Sequence, residues 1–457
     1  MHNTLVINVV GLTRALLGEH TPNLNRFSTA GASADIRPMT AGLTCSTQAT
    51  YLTGKWPTDH GIVGNGWYFR DLTEVWLWRQ SNKLVAAPKV WDMAKARDSG
   101  FTCANTFWWY AMATDADITL TPRPLYCADG KKLPDCYTYP LDLRHKLTEQ
   151  LGAFPLFNFW GPATHIKSSQ WIADAAMYVE HHHQPSLQLV YLPHLDYCLQ
   201  RLGPDGEIAQ DLRDIDAVVG QLLDYFEPRG HRILIVSEYG IVPVNQPVHP
   251  NRILRDAGML SLKEDLGREY LDFATCTAFA VSDHQIAHIY VQQPDRLAEI
   301  KKLFEQQPGI NRVLDEAGKR EMGLAHERAG DLVLLAEPNS WFTYYYWDND
   351  DRAPDFAATV DIHRKPGYDP CELFLNQALR FPKLKVASVL AKKLLGFRYM
   401  MDVISLDPTL IKGSHGLALD TPHATPIFMT NKAELAPQQP VKATDICNIM
   451  LQHLFDN

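Results

Sequence analysis

Three short apolar runs set the strongest limit on how this chain can fold. Leu5–Val10, Leu187–Leu192 and Arg232–Val236 are rich in aliphatic and β-branched residues and show little polar alternation. Runs of this kind are typical of strands buried on both faces, as in a parallel sheet covered by helices. Between the second and third runs, apolar residues recur at helical spacing over 211–226. The order of strand, helix and strand predicts an α/β fold with a mostly parallel central sheet flanked by helices.

Polar residues follow the later two runs closely. Asp196 comes four residues after the second run, and Glu238 and Tyr239 come shortly after the third. Ligands of open α/β sheets bind at the carboxyl ends of the strands, so these side chains are expected to gather at one edge. The sequence therefore predicts a functional site there.

The segment 40–68 contains the clearest candidate for a reactive group. Thr44 precedes a predicted helix over 46–52, which Thr53 and Gly54 would end. Free N–H groups and the dipole at the start of a helix favour an anion, so a phosphate or sulfate would dock beside the Thr44 hydroxyl. A threonine is also a good helix N-cap, and the segment alone leaves both roles open.

The spacing around Thr44 carries a family resemblance. Thr44 lies nine residues before the pair Thr53-Gly54, and the sequence HGIVGN follows at 60–65. The arrangement resembles the nucleophile segment of the alkaline phosphatase superfamily, in its type I phosphodiesterase/nucleotide pyrophosphatase branch. The resemblance implies an alkaline phosphatase-like fold, with Thr44 as the nucleophile and Asn65 holding a non-bridging oxygen of the phosphoryl group.

The resemblance also implies two zinc ions, but their ligand positions are only partly filled. Asp196 and His415 match zinc ligands of the family. Four positions depart from the family pattern: Val10, Gln200, Glu238 and Tyr239. Valine cannot bind a metal, and a tyrosine phenol keeps its proton at neutral pH. We expect a divalent metal, zinc above others, with fewer than two ions bound by Asp196, His415 and Glu238.

Further candidates would contact the substrate or support the metal ligands: His194, Gln200, Tyr239, His363 and Trp67. His194 lies two residues before Asp196, and His363 belongs to an Asp-x-His pattern whose side chains share one side of an extended segment. Trp67 belongs to a chain rich in tryptophan, which would provide a wall for a flat or apolar leaving group. Core packing explains any single tryptophan equally well.

The sequence predicts a core interrupted by an insertion. The core would comprise residues 1–251 and 346–457, the latter with the His415 segment, and a small α+β insertion would span 252–345. Within the insertion, Asp283, His284 and His288 either face the cleft or hold the insertion together. The stretch 120–142, with four prolines, is expected to be an irregular surface connection.

Composition limits the partners and the compartment. A formal net charge of -9 argues against a nucleic acid polymer, because no basic stripe replaces its counterions. The eight cysteines form no CxxC pair, and no run reaches the ~18 apolar residues of a membrane span. We expect a soluble cytoplasmic protein that acts on a small-molecule phosphate ester without a membrane partner. Exposed tryptophans would favour a homodimer.

Three functions remain open from the sequence. The first is a hydrolase of phosphodiester or related phosphoryl bonds, with Thr44 as nucleophile and a reduced or shifted metal site. The second is a metal-poor lyase or isomerase of a phosphorylated metabolite, in which Tyr239, Glu238 and histidines would serve as acid and base. The third is a non-catalytic binding member of the superfamily. The polar residues at the strand ends favour an enzyme.

Overall fold

The computed structural model describes residues 1–128, 131–437 and 440–456. Two large sheets organise the chain. Their strands are, in chain order, β1 (Thr4–Val9), β2 (Ala32–Asp35), β3 (Cys103–Thr106), β4 (Ile118–Pro122), β5 (Cys136–Tyr139), β6 (Leu187–Leu192), β7 (Arg232–Val236), β8 (Ala278–Asp283), β9 (Ile286–Val291), β10 (Ile310–Leu314), β11 (Leu332–Ala336) and β12 (Ile427–Thr430).

The central sheet has eight strands in the order β2-β12-β7-β1-β6-β3-β4-β5. The five strands from β7 to β4 are parallel to one another. β12 pairs antiparallel with both β7 and β2, and β5 pairs antiparallel with β4. Every residue of β1, β6 and β7 is buried, as expected of central strands covered on both faces. The predicted α/β fold with a mostly parallel sheet is confirmed.

The prediction of an irregular connection over 120–142 is wrong. This stretch contains the end of β4 and all of β5, which form one edge of the central sheet. Pro134 and Pro140 lie just outside β5, and an edge strand tolerates nearby prolines because one side needs no ladder hydrogen bonds. The prolines therefore bound the strand rather than prevent it.

Helices pack on the central sheet in two groups. Asp445–Phe455 contacts both Thr44–Thr53 and Val90–Arg97, and Ala209–Phe226 contacts both Pro22–Ala30 and Lys167–His183. The two groups share one apolar core with the strands. The remaining α-helices are Pro57–His60, Leu143–Leu151, Leu156–Phe159, His194–Leu202, Pro250–Asp256, Leu297–Glu305, Glu316–Glu321 and Pro382–Leu394.

The second sheet is antiparallel and has the strand order β8-β9-β11-β10. It falls within the range predicted for the α+β insertion. Phe279 and Val281 of β8 pack in one cluster with Ile62 and Val63 of the HGIVGN loop. The turn after β8 therefore reaches the edge where the central strands end.

Five small two-stranded sheets complete the structure. They pair Gly66–Phe69 with Glu74–Leu77, Leu125–Tyr126 with Lys132–Leu133, Val242–Pro243 with Gly413–Ser414, Gln246–Val248 with Ser340–Phe342, and Leu262–Asp265 with Arg268–Leu271. The pairing of Gly413–Ser414 places His415 beside the chain that leaves β7. Within the described parts of the chain, no helix is both long and apolar enough to cross a membrane.

Candidate active site

The helix Thr44–Thr53 places its first residue at the carboxyl edge of the sheet. Leu43 is extended, and Gly54 ends the helix in the left-handed region with a φ of 66°. The helix begins two residues earlier than predicted. Thr44 is thus the first helical residue rather than the N-cap, and its hydroxyl is free to make a contact across the cleft.

That contact is with Tyr239, which follows β7. The Thr44 Oγ1 atom lies 3.0 Å from the Tyr239 hydroxyl, and this phenol donates to Asp196 Oδ1 over 3.2 Å. A phenol has one proton, so the Thr44 hydroxyl donates to the Tyr239 oxygen. The structure therefore joins Thr44, Tyr239 and Asp196 in one directed chain of hydrogen bonds.

Asp196 accepts hydrogen bonds on both carboxylate oxygens. Gln200, one helical turn later, donates from Nε2 to Asp196 Oδ2 over 2.8 Å. The Gln200 carbonyl in turn accepts from the Tyr368 hydroxyl over 2.8 Å. Burial raises the pKa of Asp196 to about 7, although both hydrogen bonds act in the opposite direction. Asp196 can therefore take or release a proton near neutral pH.

His415 packs against Tyr239, the middle residue of this series of hydrogen bonds. Its ring stacks on Tyr239 with a centroid distance of 3.6 Å and an interplanar angle of 7°. The Nδ1 atom lies 2.8 Å from the Gly42 carbonyl, so it carries the proton, and the neutral Nε2 atom lies 3.8 Å from Asp196 Oδ1. Burial holds the pKa of His415 well below its ordinary value. The imidazole is therefore neutral at physiological pH.

Glu238 does not line the cleft. Its Oε1 atom accepts hydrogen bonds from Asn8 on β1 and from Gln48 on the Thr44–Thr53 helix. Successive side chains of an extended segment point to opposite sides, so Glu238 turns inward where Tyr239 faces the cleft. Burial raises the pKa of Glu238 to about 8. The predicted metal ligand instead fastens the Thr44–Thr53 helix to the sheet.

Asn65 is held by Asp283, the last residue of β8. Its side-chain oxygen accepts from the Cys45 backbone N–H over 3.0 Å, and its Nδ2 donates to Asp283 Oδ1 over 3.1 Å. The Asn65 backbone N–H donates to the other Asp283 oxygen over 2.8 Å. Asp283 also lies 2.8 Å from His284 Nδ1. Asn65 therefore lies at the start of the Thr44 helix, with its amide fixed by a residue from β8.

The structure separates the two roles left open for the insertion histidines. His284 lines the cavity and lies against His415, with ring centroids 3.8 Å apart. His288 instead ties strands together: its Nδ1 accepts from the Gly330 N–H over 3.0 Å, and its Nε2 lies 3.2 Å from the Val63 carbonyl. One histidine faces the site and the other is structural.

Two predicted candidates lie away from the cleft and one lines it. His194 belongs to the same helix as Asp196, where residues two apart do not share a face, and its Nε2 lies 3.0 Å from Asp211. Trp67 packs in the interior against Phe69. His363 lines the cavity. Burial is the main cause that lowers its pKa.

The cleft opens into a large cavity of about 1230 Å³. Thr44, Asp196, Tyr239 and His284 are among the residues at its polar end. An aromatic wall extends from them: Trp78, Trp109, Trp160, Tyr191, Tyr197 and Tyr368. Trp78 and Trp109 belong to aromatic stretches of the sequence, but Trp160 and Tyr368 carry no local signal and were missed.

Fold and site together define the class of protein. A hydroxyl at a helix start, with a carboxylate and an imidazole from two later segments at the same sheet edge, is the arrangement of an alkaline phosphatase-like hydrolase. The chain belongs to the type I phosphodiesterase / nucleotide pyrophosphatase family, whose model matches residues 4–369. It is therefore a hydrolase of this type. No curated protein matches the chain.

Solved structures share the fold at low sequence identity. Phosphonoacetate hydrolase from Sinorhizobium meliloti 1021, in complex with phosphonoformate, aligns with a TM-score of 0.61, 14% identity and coverage of 99% of this chain and 96% of that chain. Inactive murine ectonucleotide pyrophosphatase / phosphodiesterase 5 in complex with AMP aligns with a TM-score of 0.59, 13% identity and coverage of 99% and 95%. The human form aligns with a TM-score of 0.60, 14% identity and coverage of 99% and 94%.

Members of this family typically depend on a divalent metal such as zinc, and the residues of this chain do not fit a two-ion site. Val10 is buried at the end of β1, and Gln200 directs its amino group, not its carbonyl, at Asp196. The Tyr239 phenol lies between Thr44 and Asp196. Among the described residues, no group of three or more His, Cys, Asp or Glu side chains is placed to hold a metal ion.

Proposed function

We propose that the chain hydrolyses a phosphodiester or related phosphoryl bond of a small molecule, with Thr44 as the nucleophile. The observation that carries this proposal is the pair of consecutive hydrogen bonds from the Thr44 hydroxyl through Tyr239 to Asp196 at the polar end of the cavity. These hydrogen bonds supply a route for the proton, and the start of the Thr44–Thr53 helix favours the anionic phosphoryl group.

The proposed reaction transfers the phosphoryl group first to Thr44 and then to water. Thr44 Oγ attacks phosphorus while its proton passes to the Tyr239 oxygen, and the phenol passes its own proton to Asp196. The bond from phosphorus to the leaving oxygen breaks as the bond from phosphorus to Thr44 Oγ forms, and the leaving oxygen takes a proton from solvent. Water then attacks the phosphorus atom and releases one proton to solvent while the bond to Thr44 Oγ breaks. Thr44 Oγ recovers the proton held on Asp196 through Tyr239. Tyr239 moves protons without becoming a stable phenolate.

In this proposal the protein binds fewer than the two zinc ions that the family pattern implies. Asp196 and His415 are the family ligands that remain, and their facing atoms are 3.8 Å apart. A catalytic zinc ion normally has three protein ligands, one more than this pair provides. In this proposal the proton therefore moves through the side chains of Thr44, Tyr239 and Asp196 and does not pass through a metal-bound water.

The substrate we propose is a small phosphate ester. Basic side chains line the cavity beyond its polar end: Arg79, Arg123, Lys132, Lys383 and Lys393. They offset the negative net charge of the chain locally and attract an anion. The eight cysteines are all free, which supports a reducing compartment such as the cytoplasm.

One observation favours a metal-poor lyase or isomerase as the second candidate. Within the described structure, the groups bonded to Asp196 and Tyr239 are uncharged, and His415 is neutral. A transferring phosphoryl group is usually stabilised by positive charge. Asp196 and Tyr239 would then act as base and acid on a substrate whose phosphate binds elsewhere in the cavity.

The test compares Thr44→Ala with Thr47→Ala on the same helix. The buried Thr47 hydroxyl has no hydrogen-bond partner in the described structure, so its removal controls for the loss of a threonine there. Chromogenic phosphodiesters and phosphomonoesters are assayed with chelator and with added zinc or manganese. We expect turnover by the wild type and Thr47→Ala only, and a phosphorylated Thr44 peptide by mass spectrometry. Undiminished turnover by Thr44→Ala would remove Thr44 from the mechanism.

A further inference from the structure

The stretch 373–401 differs in charge from the rest of the chain. It contains six basic residues and no Asp or Glu, although the whole chain carries a formal net charge of -9. The basic residues are Arg380, Lys383, Lys385, Lys392, Lys393 and Arg398. A local excess of positive charge on an acidic protein points to an anionic partner at this place.

The helix Pro382–Leu394 within this stretch has apolar residues on two sides. Val386 and Leu390 line the cavity. Leu384, Ala387, Ala391 and Leu394 follow the spacing i, i+3, i+7 and i+10, so they form a second stripe. This stripe faces solvent, with Leu384 65% exposed and Leu394 88% exposed. Contiguous exposed apolar surface of this kind marks sites of interaction.

The same pattern continues around the mouth of the cavity. Past the helix, Leu395, Phe397 and Met400 are exposed. In other segments, several cavity-lining apolar residues are exposed as well: Leu125, Tyr126, Leu141 and Phe157. We call this set, together with Phe381 and the solvent-facing stripe of the helix, the apolar rim. Because several residues of the apolar rim also line the cavity, a partner bound to the rim would lie beside the cavity opening.

We propose that the apolar rim docks on an anionic lipid surface and that the cavity takes a phosphoester with an apolar chain from it. Apolar side chains inserted at the headgroup boundary and lysines at an anionic surface both stabilise such docking, the latter by ~1 kcal/mol per residue. The cavity of about 1230 Å³ has an aromatic wall suited to an apolar chain. The substrate class rests on the proposed hydrolase function, whereas the docking does not.

A lipid surface fits the rim better than a second copy of the chain. A symmetric dimer through this face would bring two sets of basic residues together, and like charges disfavour that contact. The expectation of no membrane partner came from the absence of a spanning segment. Docking at the interface needs no such segment, because the helix lies in the plane of the surface.

Vesicle sedimentation with the full chain tests the docking. We expect binding to phosphatidylcholine vesicles that contain phosphatidylserine, weaker binding to phosphatidylcholine alone, and loss of binding as salt increases. The combined variant Leu384→Ser, Leu394→Ser and Phe397→Ser should reduce binding by at least about tenfold. Lys392→Gln with Arg398→Gln should reduce only the part that depends on phosphatidylserine.

A matched control removes exposed leucines and a lysine elsewhere. Leu72→Ser, Leu266→Ser and Lys302→Gln together should leave binding unchanged, because these residues are exposed outside the rim. Circular dichroism melting checks that each variant folds. Thr44→Ala should bind vesicles as the wild type does even if it is inactive, so docking and catalysis can fail independently.

Two outcomes would overturn the docking proposal. In the first, the folded wild type does not sediment with anionic vesicles, or the rim variants bind as well as the wild type. In the second, light scattering shows a dimer that the Leu384, Leu394 and Phe397 substitutions dissociate, which would identify a second copy as the occupant. Turnover of a phosphodiester without vesicle binding would support the proposed hydrolase function and reject only the proposed docking on a lipid surface.

Discussion

The ring of Tyr239 lies flat against the imidazole of His415, with centroids 3.6 Å apart. The stacking fixes the direction of the phenol, which meets Thr44 and Asp196 at 3.0 and 3.2 Å. Tyr239 stands where the family pattern has a zinc-binding histidine. The exchange therefore replaces a metal ligand with a hydroxyl that contacts the Thr44 hydroxyl directly.

Removing the Tyr239 hydroxyl should impair the chemical step. Tyr239→Phe keeps the ring on His415 but breaks the proton route between Thr44 and Asp196. Because general acid–base contributions are about 100- to 10,000-fold, we expect kcat to fall by that order with little change in stability. Steady-state kinetics on a chromogenic phosphodiester measures this fall.

Tyr51→Phe is the matched control for this deletion. The Tyr51 hydroxyl donates to the Ser237 carbonyl over 2.7 Å, on the same helix as Thr44 but away from the cavity. Its removal should cost about 1 kcal/mol of unfolding free energy and leave kcat unchanged. Equal losses of kcat in both variants would show that Tyr239 only supports the packing.

The pH dependence of kcat/KM should report the ionisation of Asp196. The carboxylate must be unprotonated to accept a proton through Tyr239, and burial raises its pKa to about 7. Activity should therefore rise with pH up to about 7 and level off above it. Asp196→Asn should abolish this rise, whereas Glu238→Gln, which removes a neighbouring carboxyl outside the cavity, should retain it. A profile that falls as pH rises through 7 would contradict the role of Asp196 as the base.

Much of the fold was predictable because strand and helix patterns are local. β6 and β7 match their predicted limits, and β1 is displaced by one residue. β4 and the edge strand β5 were missed because the prolines in and beside them suggested a loop. Local composition describes buried central strands well and says less about edges, where one side is unpaired.

The site was only partly predictable, because side-chain direction depends on the local backbone. Thr44, Asp196, Tyr239 and His415 follow strands or begin a helix in the sequence, and the structure brings their side chains together. Glu238 turned inward because it precedes Tyr239 in an extended segment, and His194 turned away because it lies on a helix with Asp196. Tyr368 reaches Gln200 only through tertiary packing, which no spacing in the sequence reveals.

The buried Glu238 carboxyl should make stability depend on pH. Burial raises its pKa from 4.5 to about 8, so the folded state keeps a proton that the unfolded state loses. Its contribution to stability is therefore full below about pH 4.5 and declines as pH rises towards about 8, by about 1.4 kcal/mol per pH unit at most. Glu238→Gln keeps an uncharged group at this position and should remove that decline.

Urea unfolding from pH 5 to pH 9 measures this difference. The variant and the wild type should differ little near pH 5, and the variant should be more stable near pH 9. Other buried carboxyls with raised pKa values, Asp196, Asp283 and Glu372, titrate in both proteins, so the difference isolates Glu238. Parallel stability curves would show that Glu238 is ionised in the folded protein.

Zinc should bind tightly only after the family ligands are restored. The variant Val10→Asp, Gln200→His, Glu238→Asp and Tyr239→His supplies the ligands that the family pattern has at these positions. Without zinc it should melt below the wild type, because it places unpaired polar groups in a buried site. Zinc at about 100 times its Kd should then stabilise it by about 2.7 kcal/mol, whereas the wild type should melt at the same temperature with and without zinc.

Asp196→Asn in the same variant is the control for zinc bound elsewhere. It removes a ligand that the wild type already has, so it should weaken the zinc effect if the ion lies in the restored site. Bound zinc is counted by elemental analysis after dialysis, beside the melting curves. Two equivalents of zinc in the wild type, with a raised melting temperature, would contradict the conclusion from Val10, Gln200 and Tyr239. The hydrogen bonds from Tyr239 and Gln200 to Asp196 would then have to break so that Asp196 and His415 could bind the metal.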